Sequence, residues 1–160
     1  MSELKVGDKA PNFTLPTDGE GEVSLTDFKG QKIVLYFYPK DDTPGCTKES
    51  CSFNQNLSAL NKMNAQVIGL SKCSVKKHDK FKAKYDLNFP LASDENNDVC
   101  EQYGTWVEKS MYGRKYMGID RSTFLIDEKG KIAQIWRKVK VPGHVEAVME
   151  EIETSNKKAA

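Results

Sequence analysis

The sequence lacks an excess of charge of either sign, and it lacks any long apolar run. Its 160 residues include 24 lysines and arginines against 23 aspartates and glutamates, which leaves a net charge of +1. Without a basic excess there is no general attraction to a nucleic-acid backbone, so a nucleic-acid partner is not expected. The longest apolar run, 33–38, is far shorter than the roughly 20 residues that cross a bilayer. No membrane-spanning segment is therefore expected.

The sequence also lacks a recognisable secretory leader. The first residues, Met1–Lys5, do not show the basic-then-apolar order of such a leader. We therefore expect a cytoplasmic protein, in a compartment that keeps thiols reduced. In a reducing compartment we expect the four cysteines to be buried core residues, metal ligands or reactive thiols, and we do not expect a disulfide framework. They are Cys46, Cys51, Cys73 and Cys100.

Histidine is scarce, and no C-x-x-C pair is present. The chain has two histidines, His78 in a lysine-rich segment and His144 near the C-terminus. These, with one C-x4-C pair, are too few ligands at the wrong spacing for zinc, so no metal or cofactor is expected. We expect His78 on a solvated helix surface and His144 as a polar helix entry. A cysteine–histidine hydrolase that uses His144 remains an alternative, because such dyads assemble in space.

The composition is that of one globular domain. With 38% hydrophobic and 29% charged residues, the chain has enough apolar material for a core and is too short for two ordinary domains. We expect a single domain over residues 1–160, with a polar tail at 154–160 that frays.

Strand-like and helix-like segments alternate along the chain. Predicted strands lie at 13–15, 22–25, 32–38, 66–70, 89–91, 123–126 and 131–136, and predicted helices at 44–60, 74–85 and 96–103. A further helix is indicated by a C-terminal apolar stripe formed by Val145, Val148, Met149 and Ile152. This order favours an α/β fold whose mostly parallel central sheet gains antiparallel strands from hairpins.

The most informative segment, 39–46, lies between a buried strand and a helix. Thr43 followed by Pro44 is typical of an N-cap followed by the first helical residue, since proline has no amide hydrogen to lose there. Cys46 then lies in the first turn, among unpaired amides and the positive end of the helix dipole, where a thiolate is favoured. Gly45 leaves room beside the sulfur. The alternative is that Cys46 is a small apolar residue at the end of a core stripe.

Cys51 lies five residues after Cys46 on the same predicted helix. Helix geometry separates their Cα atoms by roughly 8 to 9 Å and rotates them by about 140°, whereas a disulfide needs Cα atoms within about 7 Å. If the two thiols pair, the first turns of the helix must unwind. A second buried cysteine is the alternative.

A thiolate needs a positive neighbour, and Arg121 is one candidate. It precedes the predicted strand at 123–126, so it could project from a strand end toward the helix start. From spacing alone, a surface arginine remains the alternative.

The segment Phe37–Cys51 closely resembles the active-site region of peroxiredoxins of the bacterioferritin comigratory protein, or peroxiredoxin Q, group. The segments 6–13 and 103–127 are similar to the same family, so the resemblance covers nearly the whole chain. It implies a thioredoxin-like fold with a central mixed sheet flanked by helices and an N-terminal β-hairpin extension. One departure is Cys73, where relatives often carry aspartate.

The resemblance also implies a site. By position, Cys46 matches the peroxidatic cysteine, Cys51 the resolving cysteine and Arg121 the active-site arginine. Pro39 and Thr43 match the Pro-x-x-x-Thr-x-x-Cys motif. Glu49 corresponds to an acidic residue that this group often carries between the cysteines.

The implied function is a thiol-dependent peroxidase that reduces hydrogen peroxide and organic hydroperoxides. Its cysteine sulfenic acid would be resolved as an intramolecular disulfide and recycled by thioredoxin or glutaredoxin. The group is often monomeric, so a monomer is expected, with a weak dimer as the alternative. Two other functions remain open, a general thiol-disulfide oxidoreductase and a non-catalytic thioredoxin-like redox sensor.

Overall fold

The computed structural model describes residues 4–159, which form a mixed α/β structure. The strands are β1 (Thr14–Thr17), β2 (Gly21–Ser24), β3 (Lys32–Phe37), β4 (Ala65–Ser71), β5 (Leu91–Ser93), β6 (Trp106–Met111), β7 (Arg114–Ile119), β8 (Ser122–Ile126) and β9 (Ile132–Trp136). The helices are α1 (Pro44–Gln55), α2 (Leu57–Lys62), α3 (Val75–Tyr85), α4 (Val99–Gln102) and α5 (His144–Ala159).

Seven strands form one sheet in the order β2-β1-β5-β4-β3-β8-β9. Strands β3, β4 and β5 run parallel, while β8 and β9 add antiparallel strands at one side and the β1–β2 hairpin adds them at the other. The predicted mixed sheet with an N-terminal hairpin is confirmed. Because β3 and β4 are parallel neighbours, the loops that follow them lie at the same edge of the sheet.

Strand β3 is buried on both faces, and its alternate residues belong to two separate cores. Leu35 and Phe37 lie in the core shared with α4 and the N-terminal segment. Tyr36 and Tyr38 face the other side, where α1, α2, α3 and α5 cover the sheet. The continuous apolar run at 33–38 reflects this double coverage, as expected for a central strand.

Helix α1 is fastened to β3 by an aromatic contact and a hydrogen bond. The Tyr36 ring stacks on Phe53 of α1 at 4.8 Å between centroids, and the Tyr36 hydroxyl shares a 2.7 Å hydrogen bond with Ser50. Both contacts lie on the C-terminal part of the helix. The first turn of α1 is therefore held by other means.

The sequence prediction missed the β6–β7 hairpin, which lies outside the main sheet. Its two-residue turn consists of Tyr112 and Gly113, with φ of 52° and 79°. A two-residue turn with positive φ at both central positions has a backbone twist that matches the twist of the two antiparallel strands it joins. Tyr112 carries a side chain in this strained region, and it is 99% exposed.

Two predicted helices were too long. The helix expected from Pro44 through Leu60 breaks at Asn56, which separates α1 from α2. The helix expected at 96–103 is reduced to α4, because the buried Asp94 carboxylate accepts hydrogen bonds from the backbone amides of Val99 and Cys100. These bonds fix the helix start three residues later than periodicity indicated.

The C-terminal helix is present and extends to Ala159. Val145, Val148 and Ile152 are buried, as their spacing predicted. Fraying at 154–160 stays a prediction; residues 154–159 belong to α5, and Ala160 lies outside the described residues. Between residues 4 and 159, none of the helices combines the length and apolar character needed to cross a membrane.

Candidate active site at the start of helix α1

Cys46 lies in the first turn of α1, as predicted. Thr43 is the extended N-cap residue, Pro44 is the first helical residue, and Cys46 is the third. The cysteine is reduced and only 1% exposed. Its sulfur therefore lies where unpaired helix amides and the helix dipole favour a negative charge.

Arg121 joins Cys46 to Glu49 through two nitrogens of one guanidinium. Its Nη2 donates to Cys46 Sγ at 3.4 Å, and its Nη1 donates to Glu49 Oε1 at 2.8 Å. The prediction that Arg121 projects toward the helix start agrees with this geometry. We call Cys46, Glu49 and Arg121 the Cys46 cluster.

Glu49 is fully buried, and its charge is only partly compensated. Its Oε2 atom finds no hydrogen-bond partner among residues 4–159. Burial raises the pKa of Glu49 to about 7, although the adjacent Arg121 acts to lower it. Near neutral pH this carboxyl group therefore changes charge beside the Cys46 sulfur.

Gly45 lies against the Arg121 guanidinium. A Cβ atom at residue 45 would lie 3.1 Å from Arg121 Nη2, which is closer than ordinary van der Waals contact. Any larger residue would force the guanidinium that binds Cys46 to shift. The room that the sequence indicated beside the sulfur is thus used by the arginine.

Thr43 is the N-cap, but its side chain does not cap the helix. We expected its hydroxyl to accept a hydrogen bond from a helix amide, and this expectation was wrong. The hydroxyl instead donates to the Lys40 carbonyl at 2.9 Å. Thr43 therefore ties the helix start to the preceding loop, and the first-turn amides stay free for the site.

Cys51 lies on the same intact helix as Cys46, and both thiols are reduced. Burial raises the pKa of Cys51, which is half-buried. It therefore stays a thiol more readily than an exposed cysteine would. The helix geometry that forbids a Cys46–Cys51 disulfide is present.

Pro39 follows β3 and lines a cleft. The cleft has a volume of about 420 Å³ and is also lined by Lys72, Cys73, Trp106 and Met117. Its lining includes none of Cys46, Glu49 or Arg121. Cys73 is half-buried there, and Cys100 is buried in the core.

Comparison with known proteins identifies the family. A model of the AhpC/TSA family matches residues 6–135. A Bcp protein of Coxiella burnetii is 60% identical over 147 residues, which cover 91% of this chain and 97% of that protein. Peroxiredoxin Bcp of Escherichia coli K12 is 46% identical over 149 residues, covering 93% and 96%. The chain belongs to the AhpC/TSA family. It is a peroxiredoxin of the Bcp or peroxiredoxin Q type, and so a thiol peroxidase.

Solved peroxiredoxin structures share the fold. A mutant of peroxiredoxin Q from Xylella fastidiosa superposes with a TM-score of 0.92 at 41% identity, covering 98% of this chain and 99% of that one. A Xanthomonas campestris bacterioferritin comigratory protein, studied for its alkyl peroxide reduction activity, gives 0.85 at 43% identity and covers 89% and 91%. The thioredoxin-like fold is thus confirmed.

His78 was expected on the surface of this peroxiredoxin, and that prediction was wrong. It is 0% exposed. Its Nδ1 lies 2.6 Å from Asp41 Oδ2 and its Nε2 lies 3.0 Å from the Ala92 carbonyl. Tyr38 donates to the other Asp41 oxygen at 2.5 Å. We call Tyr38, Asp41 and His78 the Asp41 cluster.

His144 begins α5, and it contacts neighbours of the site rather than Cys46. Its Nε2 lies 2.8 Å from Thr123 Oγ1. Burial, with nearby Arg121 acting in the same direction, lowers the pKa of His144 to about 4. Its ring packs edge-on against Phe53 at 6.1 Å and Trp136 at 5.8 Å. A neutral imidazole bonded to Thr123 does not form the dyad that a hydrolase would need.

Metal-binding side chains are not gathered together in the part of the chain that the structure describes. Over residues 4–159, no three His, Cys, Asp or Glu side chains are placed to hold one ion. The charged site described above consists of a thiol, a carboxyl group and a guanidinium.

Proposed function

We propose that Cys46 is the peroxidatic cysteine and that it reduces both hydrogen peroxide and organic hydroperoxides. The single observation that supports this most strongly is the Cys46 sulfur in the first turn of α1, within hydrogen-bond distance of Arg121 Nη2. Positive charge from both sources favours the thiolate, which is the nucleophilic form.

The proposed first step is attack of the Cys46 thiolate on one peroxide oxygen. A sulfur–oxygen bond forms as the oxygen–oxygen bond breaks, and the electron pair leaves with the second oxygen. Arg121 and the free helix amides stabilise the charge that develops there, and protonation releases water or an alcohol. Cys46 is left as a sulfenic acid, which is a reversible oxidation state.

Cys51 is the proposed resolving cysteine. Its sulfur displaces the hydroxyl group of the sulfenic acid, so that a disulfide forms and water leaves. Because both residues lie on intact α1, the helix must unwind locally before this step. Unwinding also exposes Cys51 to water, which removes the burial that keeps it a thiol.

A dithiol protein then returns two electrons to the disulfide. We propose thioredoxin for this role, with glutaredoxin as the alternative, and we propose that the enzyme works as a cytoplasmic monomer. Organic hydroperoxides are included because the related Xanthomonas protein is described by its alkyl peroxide reduction activity.

The decisive experiment is a coupled assay with thioredoxin, thioredoxin reductase and NADPH, using hydrogen peroxide and an organic hydroperoxide in turn. Cys46→Ser should reduce peroxide consumption to the background rate, because serine is a far weaker nucleophile. Turnover retained by that variant would overturn the assignment.

Cys51→Ser separates the two steps. This variant should still react once with peroxide but should recycle slowly or not at all, and peptide mapping of the oxidised wild type should find Cys46 bonded to Cys51. Full recycling by Cys51→Ser would move the resolving role to another thiol. A general thiol-disulfide oxidoreductase would instead reduce insulin disulfides without consuming peroxide.

A further inference from the structure

His78 is a buried polar residue that the proposed peroxidase cycle does not use. The Ala92 carbonyl can only accept a hydrogen bond, so Nε2 must donate to it. One proton also lies between Nδ1 and Asp41 Oδ2, which are 2.6 Å apart. Such short, charge-assisted bonds are stronger and more directional than neutral ones. His78 therefore fastens Asp41 to the carbonyl of a sheet strand.

Asp41 lies in the loop that leads into the active-site helix. It precedes the N-cap Thr43 by two residues, and the Thr43 hydroxyl is bonded to Lys40 in the same loop. The Asp41 backbone amide also donates to Cys73 Sγ at 3.4 Å. A displacement of Asp41 would therefore be transmitted to Thr43 and the first turn of α1.

The same loop borders the segment that must unwind for Cys46 to reach Cys51. On the C-terminal side, the stacking of Phe53 on Tyr36 holds the helix to β3 beyond Cys51. On the N-terminal side, Asp41 is held by buried hydrogen bonds with His78 and Tyr38, and of these two residues only His78 lies on another element of the fold. The segment to be unwound thus lies between two buried attachments.

We propose that His78 is a positioning residue: through Asp41 it fixes the loop before Thr43, both when Cys46 attacks peroxide and when α1 unwinds. This inference rests on the proposed function. His78 touches neither substrate nor the reacting atoms. It aligns the helix start and sets the N-terminal limit of the unwinding.

Two substitutions separate the bonds that His78 makes. In His78→Asn the side-chain amide nitrogen branches from the same carbon as Nδ1, so it can donate to Asp41 but does not reach Ala92. In His78→Gln the amide lies one atom further out, where it can donate to Ala92 but not to Asp41. Lys76→Ala, an exposed position on α3, is the control for the helix itself.

The first measurement is the rate constant for a single reaction with hydrogen peroxide, followed by stopped flow. A misplaced helix start should slow His78→Gln at least tenfold, since small displacements of a reacting group have large effects. His78→Asn should stay within about threefold of wild type, as a conservative replacement that keeps the Asp41 bond. Equal rates for the two variants, whether both normal or both slow, would overturn the proposal.

The second measurement needs no variant. Hydrogen exchange of the wild type, reduced and then oxidised by peroxide, should show faster exchange at 45–52 in the oxidised form. The amides of Tyr38 and Asp41, which donate to the Leu70 carbonyl and to Cys73 Sγ, should exchange at the same rate in both forms. Faster exchange of the Asp41 amide in the oxidised form would overturn the proposal even if His78→Gln did not fold. Absence of any peroxide reaction in the wild type would instead refute the proposed function.

Discussion

Two buried charged clusters flank Thr43, and they differ in how completely their polar atoms are paired. In the Asp41 cluster, both carboxylate oxygens and both imidazole nitrogens have partners. In the Cys46 cluster, Glu49 Oε2 has none within residues 4–159. A fully paired buried network is rigid, whereas an unpaired buried group is destabilising. The incompletely paired charges therefore lie at the reacting sulfur, and the fully paired ones lie in the loop that precedes the helix.

The difference between the clusters also suits two opposing requirements at the start of α1. The helix start has to be ordered enough to activate Cys46 and labile enough to unwind for Cys51. An incompletely paired cluster on the helix makes local unwinding less costly, while the fully paired cluster holds the chain on the other side of Thr43. Substitutions in the two clusters should thus have different effects.

The largest effect is expected from breaking the Cys46 cluster at Arg121. Arg121→Ala removes a donor from the sulfur and from the developing charge, so the rate constant for peroxide attack should fall by about 10² to 10³. Arg121→Lys keeps the charge but cannot serve Cys46 and Glu49 with two nitrogens, so an intermediate loss is expected. Stopped-flow measurement with hydrogen peroxide checks both, and an alanine variant within threefold of wild type would contradict the assignment.

Next in size is the effect of Glu49 on stability. Because burial raises its pKa from 4.5 to about 7, the folded state holds this proton more tightly than the unfolded state, and stability falls as pH rises through this interval. Glu49→Gln abolishes the titration. Relative to wild type, the variant should gain about 3 kcal/mol in unfolding free energy between pH 4 and pH 8. Urea denaturation across this range measures the gain.

A matched carboxylate provides the control for that experiment. The hydrogen bond from Lys32 lowers the pKa of Glu128, so its stabilisation is present above its unfolded pKa and is lost as the pH falls. Relative to wild type, Glu128→Gln should therefore lose unfolding free energy as the pH rises, whereas Glu49→Gln gains it. A Glu49→Gln profile parallel to that of wild type would show that Glu49 is not destabilising.

A smaller effect is expected in the Asp41 cluster from Tyr38→Phe. The substitution removes one donor to Asp41 Oδ1 and leaves the His78 bond in place. Loss of one partner of a buried acceptor should lower the unfolding free energy by about 1 to 3 kcal/mol, while peroxide attack slows by less than tenfold. If the rate of peroxide attack falls by more than tenfold while the unfolding free energy changes little, Tyr38 rather than His78 contributes more to positioning the loop.

The smallest effect is expected outside both clusters. Lys84 on α3 forms a 2.8 Å ion pair with Asp42, which follows Asp41 in the loop before α1, and both side chains are exposed. Exposed ion pairs contribute little, so Lys84→Ala should match wild type in both melting temperature and peroxide rate. A clear kinetic loss would mean that surface contacts from α3 also position the loop.

Much of the fold and the position of the site could be predicted from the sequence, because local signals carried them. The apolar run at 33–38 indicated a doubly covered strand, and Thr43–Pro44 indicated the helix start. The missed β6–β7 hairpin left a weaker signal, because its apolar residues do not alternate regularly with polar ones and most of its positions are exposed. The break at Asn56 was hidden because the apolar spacing of Phe53 continues into α2.

The long-range contacts of the site could not be predicted from local patterns. Arg121 lies 75 residues from Cys46 and Asp41 lies 37 residues from His78, and no periodicity links such pairs. One signal for His78 was available, since it lies three residues before the buried Phe81 and so shares its helix face. The surrounding lysines concealed it.

The rings of Trp136, His144 and Phe53, which contact one another in turn at the start of α5, give the enzyme an optical reporter of its own. Phe53 lies on α1 two residues after Cys51, so unwinding of the preceding turns changes the surroundings of its ring and, through His144, of the indole. With Trp106 replaced by phenylalanine, the remaining tryptophan fluorescence would come from Trp136 alone. Each oxidation and each reduction could then be followed in real time by emission, without an added dye.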